Sequence, residues 1–213
     1  MTGVEQMIGT QLVKRGIQDP RVLAAMRTIP RAEFIPHALR NDAFIDAPVP
    51  IGFGQTITQP YMTALMAELL ELDGYEKVLD VGTGSGYHAA VLGALARYVI
   101  SVERIPELAE LARANLKRTG LDTNITVVCG DGSLGVPEYA PFHAISVAAA
   151  SPRTPPALLD QLNDPGTMVI PVGDRQDQDL RVIRRHNGDI ATRFVSACRF
   201  VPLVGREGWQ EQE

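Results

Sequence analysis

Three acidic side chains in this sequence each stand at the end of a short apolar run: Asp80, Glu103 and Asp131. The first is followed at once by a glycine-rich turn, residues 82–86. If the apolar runs are neighbouring parallel strands, their carboxyl ends meet at one edge of a sheet, where ligands bind. Ionised carboxylates act only as hydrogen-bond acceptors. The pattern therefore predicts a site for a ligand that presents hydroxyl and amino groups.

The spacing of the glycines indicates which ligand this is. A dinucleotide pyrophosphate is typically held by G-x-G-x-x-G at a helix N-terminus. Here the pattern is Gly82-x-Gly84-x-Gly86, and the last position of the dinucleotide spacing is Tyr87. S-adenosylmethionine carries no phosphate, but it has an ammonium group, a ribose diol and an adenine amino group. We therefore expect S-adenosylmethionine as the cofactor, with glycines that let the backbone approach its methionine part.

Each acid has an expected partner on that cofactor. Asp80 is expected to orient the amino-acid end, Glu103 to accept both ribose hydroxyls, and Asp131 to receive the adenine amino group beside Gly132. Any one of these acids could instead be only a turn residue. Their position at three successive strand ends favours the cofactor site, and all three acids are expected to face one crevice.

The elements that would position these residues alternate between short strands and helices. Strands are predicted at residues 78–81, 98–102, 125–129, 144–148 and 168–172, and helices at 87–97, at 106–119 and from Pro155-Pro156 onward. Such alternation implies a parallel sheet covered on both faces. Asn187-Gly188 between two strand-like runs predicts a terminal hairpin. The expected fold is an α/β doubly wound, mostly parallel sheet of the class I methyltransferase type with a C-terminal antiparallel hairpin.

The first third of the chain has a different character. Residues 2–40 show helical periodicity interrupted by prolines, and residues 41–60 are rich in proline and glycine with few charges. A loop of this length is usually functional. Pro60 is then expected to open a helix, because proline is well tolerated in the first turn.

Length and composition suit one folded unit. The chain has 213 residues, 45% of them hydrophobic, and a formal net charge of -5. We expect a single S-adenosylmethionine-dependent methyltransferase domain over 1–213, with N-terminal helices and a substrate loop in 1–72 and the cofactor-binding core in 73–213. Lysine and arginine are scattered rather than massed, which argues against a nucleic-acid partner.

Targeting and metal-binding patterns are not visible in the sequence. Residues 1–10 lack the charged start and apolar run of a signal peptide, and no stretch has the roughly 18 apolar residues of a membrane span. Cys129 and Cys198 lie far apart and are expected to be buried thiols, and the histidines show no ligand spacing, so no metal is expected. We expect a cytoplasmic protein with no membrane partner.

Eight segments together resemble one enzyme family, the protein-L-isoaspartate O-methyltransferases, and the resemblance covers nearly the whole chain. The matching segments are 31–36, 51–60, 82–87 with 89–92, 101–104, 130–132, 157–162, 170–173 and 200–203. The resemblance implies methyl transfer from S-adenosylmethionine to the free α-carboxylate of L-isoaspartyl residues in damaged proteins and peptides, which begins their repair. It also implies a monomer whose partners are such isoaspartyl-containing proteins.

The chemistry that the resemblance implies makes modest demands on the enzyme. The α-carboxylate is already ionised at neutral pH, so no strong general base is required. Catalysis would then depend on placing the carboxylate in line with the methyl group and on excluding water.

The resemblance, together with the strand-end acids, implies a role for particular residues. Thr58 is the implied catalytic residue. The implied cofactor-binding residues are Gln55, Thr56, Ile57, Asp80, Gly82, Thr83, Gly84, Ser85, Gly86, Glu103, Arg104, Asp131 and Gly132. The implied substrate-binding residues are Ile57, Thr58, Gln59, Ala148, Ala149 and Val204.

The chain departs from the family pattern at two positions that bear on activity. Thr58 stands where the family usually has serine, and it keeps the hydroxyl but adds a methyl group and stiffens χ1. It could bind the substrate carboxylate or the cofactor, or it could only cap the helix that Pro60 opens. His143 stands where aspartate is common. We interpret it as a surface residue at the start of a strand, the other interpretation being a role in the active site.

Other functions are compatible with the same residues. A related methyltransferase could act on aspartate of a dedicated peptide or on a small-molecule carboxylate. An inactive cofactor-binding module could keep the same three acids. Activity towards matched isoaspartyl and aspartyl peptides distinguishes these possibilities.

Overall fold

The computed structural model describes residues 3–210, so both ends of the predicted domain, residues 1–2 and 211–213, lie outside the described residues. The N-terminal segment is helical, as predicted. Its elements are helices α1 (Gly3–Met7) and α2 (Pro20–Thr28), a π turn (Ile8–Leu12) and the 3₁₀ turns Val13–Arg15, Arg31–Phe34 and His37–Asp42. The start of α2 is defined by Asp19, whose side chain accepts a hydrogen bond from the backbone N–H of Arg21.

The prediction of a loop before Pro60 is partly wrong, because the segment contains a small antiparallel hairpin. Strand β1 (Val49–Gly52) pairs with β2 (Gln55–Ile57), and Phe53 and Gly54 at the turn have φ angles of 54° and 70°. Hairpin turns with two positive φ angles favour Asn-Gly or Asp-Gly, and phenylalanine gives no such signal. The hairpin is followed by helix α3 (Pro60–Leu69), which begins at Pro60 as predicted.

The rest of the chain repeats a strand and a helix, as predicted. The strands are β3 (Lys77–Val81), β4 (Tyr98–Glu103), β5 (Ile125–Cys129), β6 (Phe142–Val147) and β7 (Leu162–Gly173). The helices are α4 (Tyr87–Gly93), α5 (Pro106–Thr119) and α6 (Pro156–Asp160), with 3₁₀ turns at Gly132–Leu134 and Pro137–Tyr139. Helix α4 ends earlier than predicted, at Gly93, and β7 begins earlier, at Leu162.

Two further strands, β8 (Gln178–His186) and β9 (Asp189–Cys198), complete a seven-stranded sheet in the order β5-β4-β3-β6-β7-β8-β9. The pairs from β5 to β7 are parallel, and β8 and β9 are antiparallel. Asn187 and Gly188 form the hairpin turn with φ angles of 52° and 83°. The predicted fold class is confirmed. The strand order reverses between β3 and β6, which is where open α/β sheets bind ligands.

Apolar clusters cover both faces of this sheet. One cluster joins Val78 of β3 to Leu92 of α4, and the other joins Leu79 of β3 to Leu158 of α6. Side chains alternate between the faces of a strand, so Asp80 lies on the face of Val78, which α4 covers. The two-sided packing holds the strand ends in fixed positions around the reversal point.

Two smaller expectations concern the cysteines and membrane helices. The prediction of buried thiols is wrong for Cys129, which is exposed at the end of the edge strand β5, and Cys198 is half-buried. Within residues 3–210, no helix is long and apolar enough to cross a bilayer. The same range contains no group of three or more His, Cys, Asp or Glu residues that could hold a metal ion.

Candidate cofactor and substrate site

A cavity opens at the carboxyl ends of β3, β4 and β6, at the reversal of the strand order. We call it the inner cavity, and its volume is about 830 Å³ when the open space at its mouth is included. Ten of the residues predicted to bind the cofactor line it: Gln55, Thr56, Ile57, Gly82, Thr83, Gly84, Ser85, Glu103, Arg104 and Gly132. Residues predicted to bind substrate also line it, namely Ile57, Thr58, Ala148, Ala149 and Val204. The predicted residues that do not line it are Gln59, Asp80, Gly86 and Asp131.

Glu103 is the acid that faces the inner cavity. Its side chain is buried, and its two carboxylate oxygens accept hydrogen bonds from the backbone N–H groups of Gly84 (2.9 Å) and Ile105 (3.0 Å). These bonds tie the glycine turn to the start of α5. A carboxylate has about four acceptor positions, so capacity remains for the two ribose hydroxyls of S-adenosylmethionine.

The glycine turn has the backbone that its sequence predicts. The φ angles of Gly82, Gly84 and Gly86 are 92°, 55° and 94°, which side-chain-bearing residues rarely adopt. A Cβ atom on Gly84 would lie 3.2 Å from the side chain of Ile51, so the β1-β2 hairpin packs closely over the turn. A Cβ atom on Gly86 would instead lie 3.4 Å from Ala112 of α5, so this glycine allows close helix packing and does not line the inner cavity.

The prediction that Asp80 faces the crevice is wrong. Asp80 is fully buried in the sheet, where its Oδ2 accepts a hydrogen bond from the Ser101 hydroxyl at 2.7 Å. Its Oδ1 has no hydrogen-bond partner among the described residues. Burial, and to a smaller extent the nearby charge of Glu103, raises the pKa of Asp80 to about 7. Strand alternation explains why the prediction failed. It directs the Asp80 side chain towards the sheet face that α4 covers, whereas the glycine turn that follows lines the inner cavity.

Asp131 is likewise directed away from the inner cavity. Its Oδ1 accepts bonds from the backbone N–H and the hydroxyl of Ser133 (2.9 and 2.7 Å), and its Oδ2 accepts from the backbone N–H of Arg206 (2.8 Å). The carboxylate thus caps a 3₁₀ turn and holds the C-terminal segment in place. It lines a neighbouring hollow that shares Arg104 and Val204 with the inner cavity. Of the three acids expected to face one crevice, only Glu103 lines the inner cavity.

A buried histidine on the wall of the inner cavity was not predicted. His88 of α4 is 7% exposed, and its Nε2 lies 2.9 Å from the hydroxyl of Ser146 on β6. Burial lowers the pKa of His88 to about 4, so the ring is neutral at pH 7. Ser146 stands directly opposite Asp80 in the sheet register, as Ser101 does on the other side. The only sequence signal for His88 was its position just after the glycine turn.

A second, larger depression continues outward from the inner cavity. We call it the outer groove, and its open volume is about 1650 Å³. Five residues line both spaces: Thr56, Thr58, Ala148, Val201 and Pro202. The predicted substrate residue Gln59 lines the outer groove alone. A cofactor in the inner cavity and a peptide in the outer groove would therefore meet beside Thr58.

The backbone at Thr58 is held by a buried arginine that the sequence did not reveal as functional. Arg31 is 1% exposed, and its guanidinium donates hydrogen bonds to the carbonyl oxygens of Thr58 and Ala43, both at 2.8 Å. Its charged end lies 4.7 Å from the centre of the Tyr87 ring, a cation–π contact. Burial lowers the pKa of Arg31.

The structure decides between the alternative roles that the sequence left open for Thr58 and His143. Gln59, not Thr58, is the residue that precedes helix α3, and no side chain caps that helix end. The interpretation of Thr58 as only a helix cap is therefore wrong. His143 lies at the start of β6, where its Nδ1 accepts a hydrogen bond from the Lys77 backbone N–H at 3.1 Å. It lines neither the inner cavity nor the outer groove, so an active-site role for His143 is not supported.

A mostly parallel seven-stranded sheet with antiparallel C-terminal strands, and with a glycine turn and an acid at adjacent strand ends, defines a class I S-adenosylmethionine-dependent methyltransferase. Within that class, the chain belongs to the protein-L-isoaspartate(D-aspartate) O-methyltransferase family, whose sequence profile matches residues 3–208.

Individual relatives agree with this assignment. A protein-L-isoaspartate O-methyltransferase 2 of Marinobacter nauticus is 55% identical over 205 residues, covering 95% of this chain and 93% of the relative. One from Methanoculleus marisnigri is 52% identical over 206 residues, covering 97% and 93%. A solved structure from Plasmodium falciparum, a putative member in complex with S-adenosyl-L-homocysteine, is 28% identical with a TM-score of 0.78, covering 94% of this chain and 98% of that one.

Proposed function

We propose that this enzyme transfers the methyl group of S-adenosylmethionine to the free α-carboxylate of L-isoaspartyl residues in damaged proteins and peptides, initiating their repair. The observation that carries this proposal is the junction of the inner cavity and the outer groove at Thr58. Donor and acceptor bind in separate spaces, and only a group that projects from the groove towards Thr58 reaches the donor.

The inner cavity would hold the cofactor through a small set of groups. Glu103 is proposed to accept the ribose hydroxyls, and the backbone of the turn from Gly82 to Gly86 to follow the methionine part. Gly132 and Arg104 line the side proposed to hold the adenosine part. When bound, S-adenosylmethionine supplies a methyl group on a positively charged sulfur. The assignments of Asp80 and Asp131 become indirect, since both carboxylates are engaged within the protein.

The residues around Thr58 are proposed to position the acceptor. The Thr58 hydroxyl would donate a hydrogen bond to one oxygen of the α-carboxylate and leave the other oxygen directed at the methyl group. Arg31 holds the Thr58 backbone, so the hydroxyl starts from a fixed position. The small side chains of Ala148 and Ala149 leave room for close approach. Such positioning, rather than proton transfer, is what an already ionised nucleophile requires.

The direct test uses S-adenosylmethionine labelled in its methyl group and matched peptides containing L-isoaspartate, L-aspartate or D-aspartate. We expect label in the L-isoaspartyl peptide. Label in none of the peptides, despite measurable cofactor binding, would contradict the proposal and favour an inactive binding module. Label in an aspartyl peptide alone would favour the relative that modifies a dedicated peptide.

The proposal also covers the domain organisation, the oligomeric state and the cellular location of the enzyme. We propose one domain, with residues 1–72 forming the substrate side and residues 73–213 the cofactor core. In support, Thr56 of β2, Thr58 and Gln59 of the connection after it, and Tyr61 and Met62 of α3 line the outer groove. We further propose that the enzyme is a cytoplasmic monomer that acts on proteins and not on nucleic acid or membranes. Sedimentation velocity at micromolar concentration would test the monomer, since a dimer sediments faster.

A further inference from the structure

The outer groove carries positive charge although the protein as a whole is acidic. Three arginines line it, and among residues 3–210 no Asp or Glu does. The formal net charge of the whole chain is -5, so this local excess runs against the average. We propose that the outer groove selects L-isoaspartyl peptides with acidic side chains next to the isoaspartyl residue, and that Arg175 and Arg199 are the selecting residues. This inference rests on the proposed function.

The three arginines differ in how far their charge is already compensated. Arg15 forms an ion pair with Asp46 at 2.5 Å and lies 3.4 Å from the centre of the Tyr61 ring. Arg175 lies 4.9 Å from the Trp209 ring and has no ion-pair partner within residues 3–210. Arg199 is exposed and forms neither an ion pair nor a side-chain hydrogen bond with any described residue. Arg175 and Arg199 are therefore the groove arginines that form no ion pair with a described residue, and Asp174 and Asp177 flank Arg175 in its loop.

The position of these two arginines relative to Thr58 makes them contacts for flanking residues. Arg199 directly follows β9, and Val201 and Pro202, just beyond it, line both the groove and the inner cavity. Arg175 lies in the loop between β7 and β8 and reaches the same groove from another segment. A peptide whose α-carboxylate reaches Thr58 would thus place its neighbouring side chains beside these guanidinium groups. A guanidinium is suited to a carboxylate, which it can bind through two parallel hydrogen bonds.

The size of the effect follows from the exposure of the groove. Exposed ion pairs change an equilibrium by about 1.5-fold to fivefold each, and they weaken as salt screens the charges. Two such contacts predict a preference of about tenfold for an acidic over a basic flanking side chain. Flanking contacts are the same before and during methyl transfer, so the preference should appear in KM and leave kcat nearly unchanged.

The experiment compares three L-isoaspartyl peptides of equal length that carry Glu, Gln or Lys on both sides of the isoaspartyl residue. We expect kcat/KM at low ionic strength to decrease from Glu to Gln to Lys, through KM. Arg199→Gln and Arg175→Gln should each reduce the ratio of Glu to Lys peptide by about threefold, and Arg199→Lys should retain most of it. The matched control is Arg193→Gln, an exposed arginine of β9 that lines neither space.

The outcomes separate this inference from the proposed function. Equal kcat/KM for the Glu and Lys peptides, or a ratio unaffected by salt, would overturn the inference and leave the function standing. An equal loss in Arg193→Gln would overturn it as well, because the effect would then come from the net charge of the protein. Methylation of none of the three peptides would overturn the proposed function itself.

Discussion

The inner cavity and the outer groove meet at Thr58 but are built in opposite ways. The inner cavity lies against strand ends, and two polar groups on its wall are buried and hydrogen-bonded within the protein: Glu103 to two backbone N–H groups, and His88 to Ser146. The outer groove is assembled from distant segments and carries exposed arginines such as Arg199. The difference indicates that the cavity supplies fixed geometry for one cofactor, whereas the groove supplies selection among many peptides.

Burial also determines what a mutation in each region can do. Inside the cavity, a buried charged group cannot replace a lost protein partner with water. Removing such a group or its partner therefore changes cofactor affinity or protein stability strongly. In the groove, water replaces a lost contact, so the change in peptide affinity is small and depends on salt concentration. Substitutions in each region test whether the cavity determines cofactor binding and stability while the groove determines peptide selection. The largest expected effect is that of Glu103.

Glu103→Ala should weaken the binding of S-adenosylmethionine by about 100-fold or more, because both ribose hydroxyls lose a charged acceptor. Isothermal titration calorimetry of the folded variant measures the dissociation constant. Glu110→Ala, an exposed residue of α5 paired with Arg113, is the matched control and should bind normally. An unaltered dissociation constant in Glu103→Ala would contradict the ribose assignment and leave the inner cavity without its main charged contact.

Two buried groups beside the cavity should make the stability depend on pH in opposite directions. The raised pKa of Asp80, about 7, means that the folded state keeps a proton that the unfolded state releases near pH 4, so stability falls as pH rises from 4 to 7. The lowered pKa of His88, about 4, means that the unfolded state takes up a proton first, so stability falls as pH decreases from 6.5 to 4.

Single substitutions should reveal each of these contributions. The free energy of unfolding of Asp80→Asn minus that of the wild type should increase with pH from 4 to 7, by up to about 4 kcal/mol. The same difference for His88→Gln should decrease with pH from 4 to 6.5, by up to about 3 kcal/mol. Urea denaturation at several pH values measures both. If both differences changed with pH in the same direction, the assigned burial of one of these groups would be contradicted.

Thr58→Ala should lower kcat about tenfold and change the dissociation constant of S-adenosylmethionine by less than about twofold, since the lost hydrogen bond acts on the acceptor. Thr58→Ser keeps the hydroxyl and should retain most of the activity, although its χ1 is less restricted. Steady-state kinetics with an L-isoaspartyl peptide measures the effect. If Thr58→Ala turned over normally, the junction of the two spaces would need no hydroxyl, and Arg31 would be holding a purely structural segment.

The elements that were predictable are those with a local signal. The strand from Ile125 to Cys129 and the helix from Pro106 to Thr119 have the bounds that periodicity, proline and glycine predicted. The β1-β2 hairpin was missed because Phe53 occupies a turn position with positive φ, where glycine or asparagine usually gives the signal. Local chemistry identifies an element only where its residues obey the usual preferences.

By itself, the sequence determined the alternation of strands and helices that makes a doubly wound sheet possible, the glycine turn, the type of cofactor and the position of Glu103 at a strand end. These features depend on residues that are close together along the chain, and their spacing carries the information. Only the tertiary structure decided that Asp80 lies buried in the sheet, that Asp131 holds the C-terminal segment, and that Arg175 and Arg199 line one groove with Thr58. The physical reason is that strand alternation and packing, rather than spacing along the chain, determine which side a carboxylate faces and which distant charges come together.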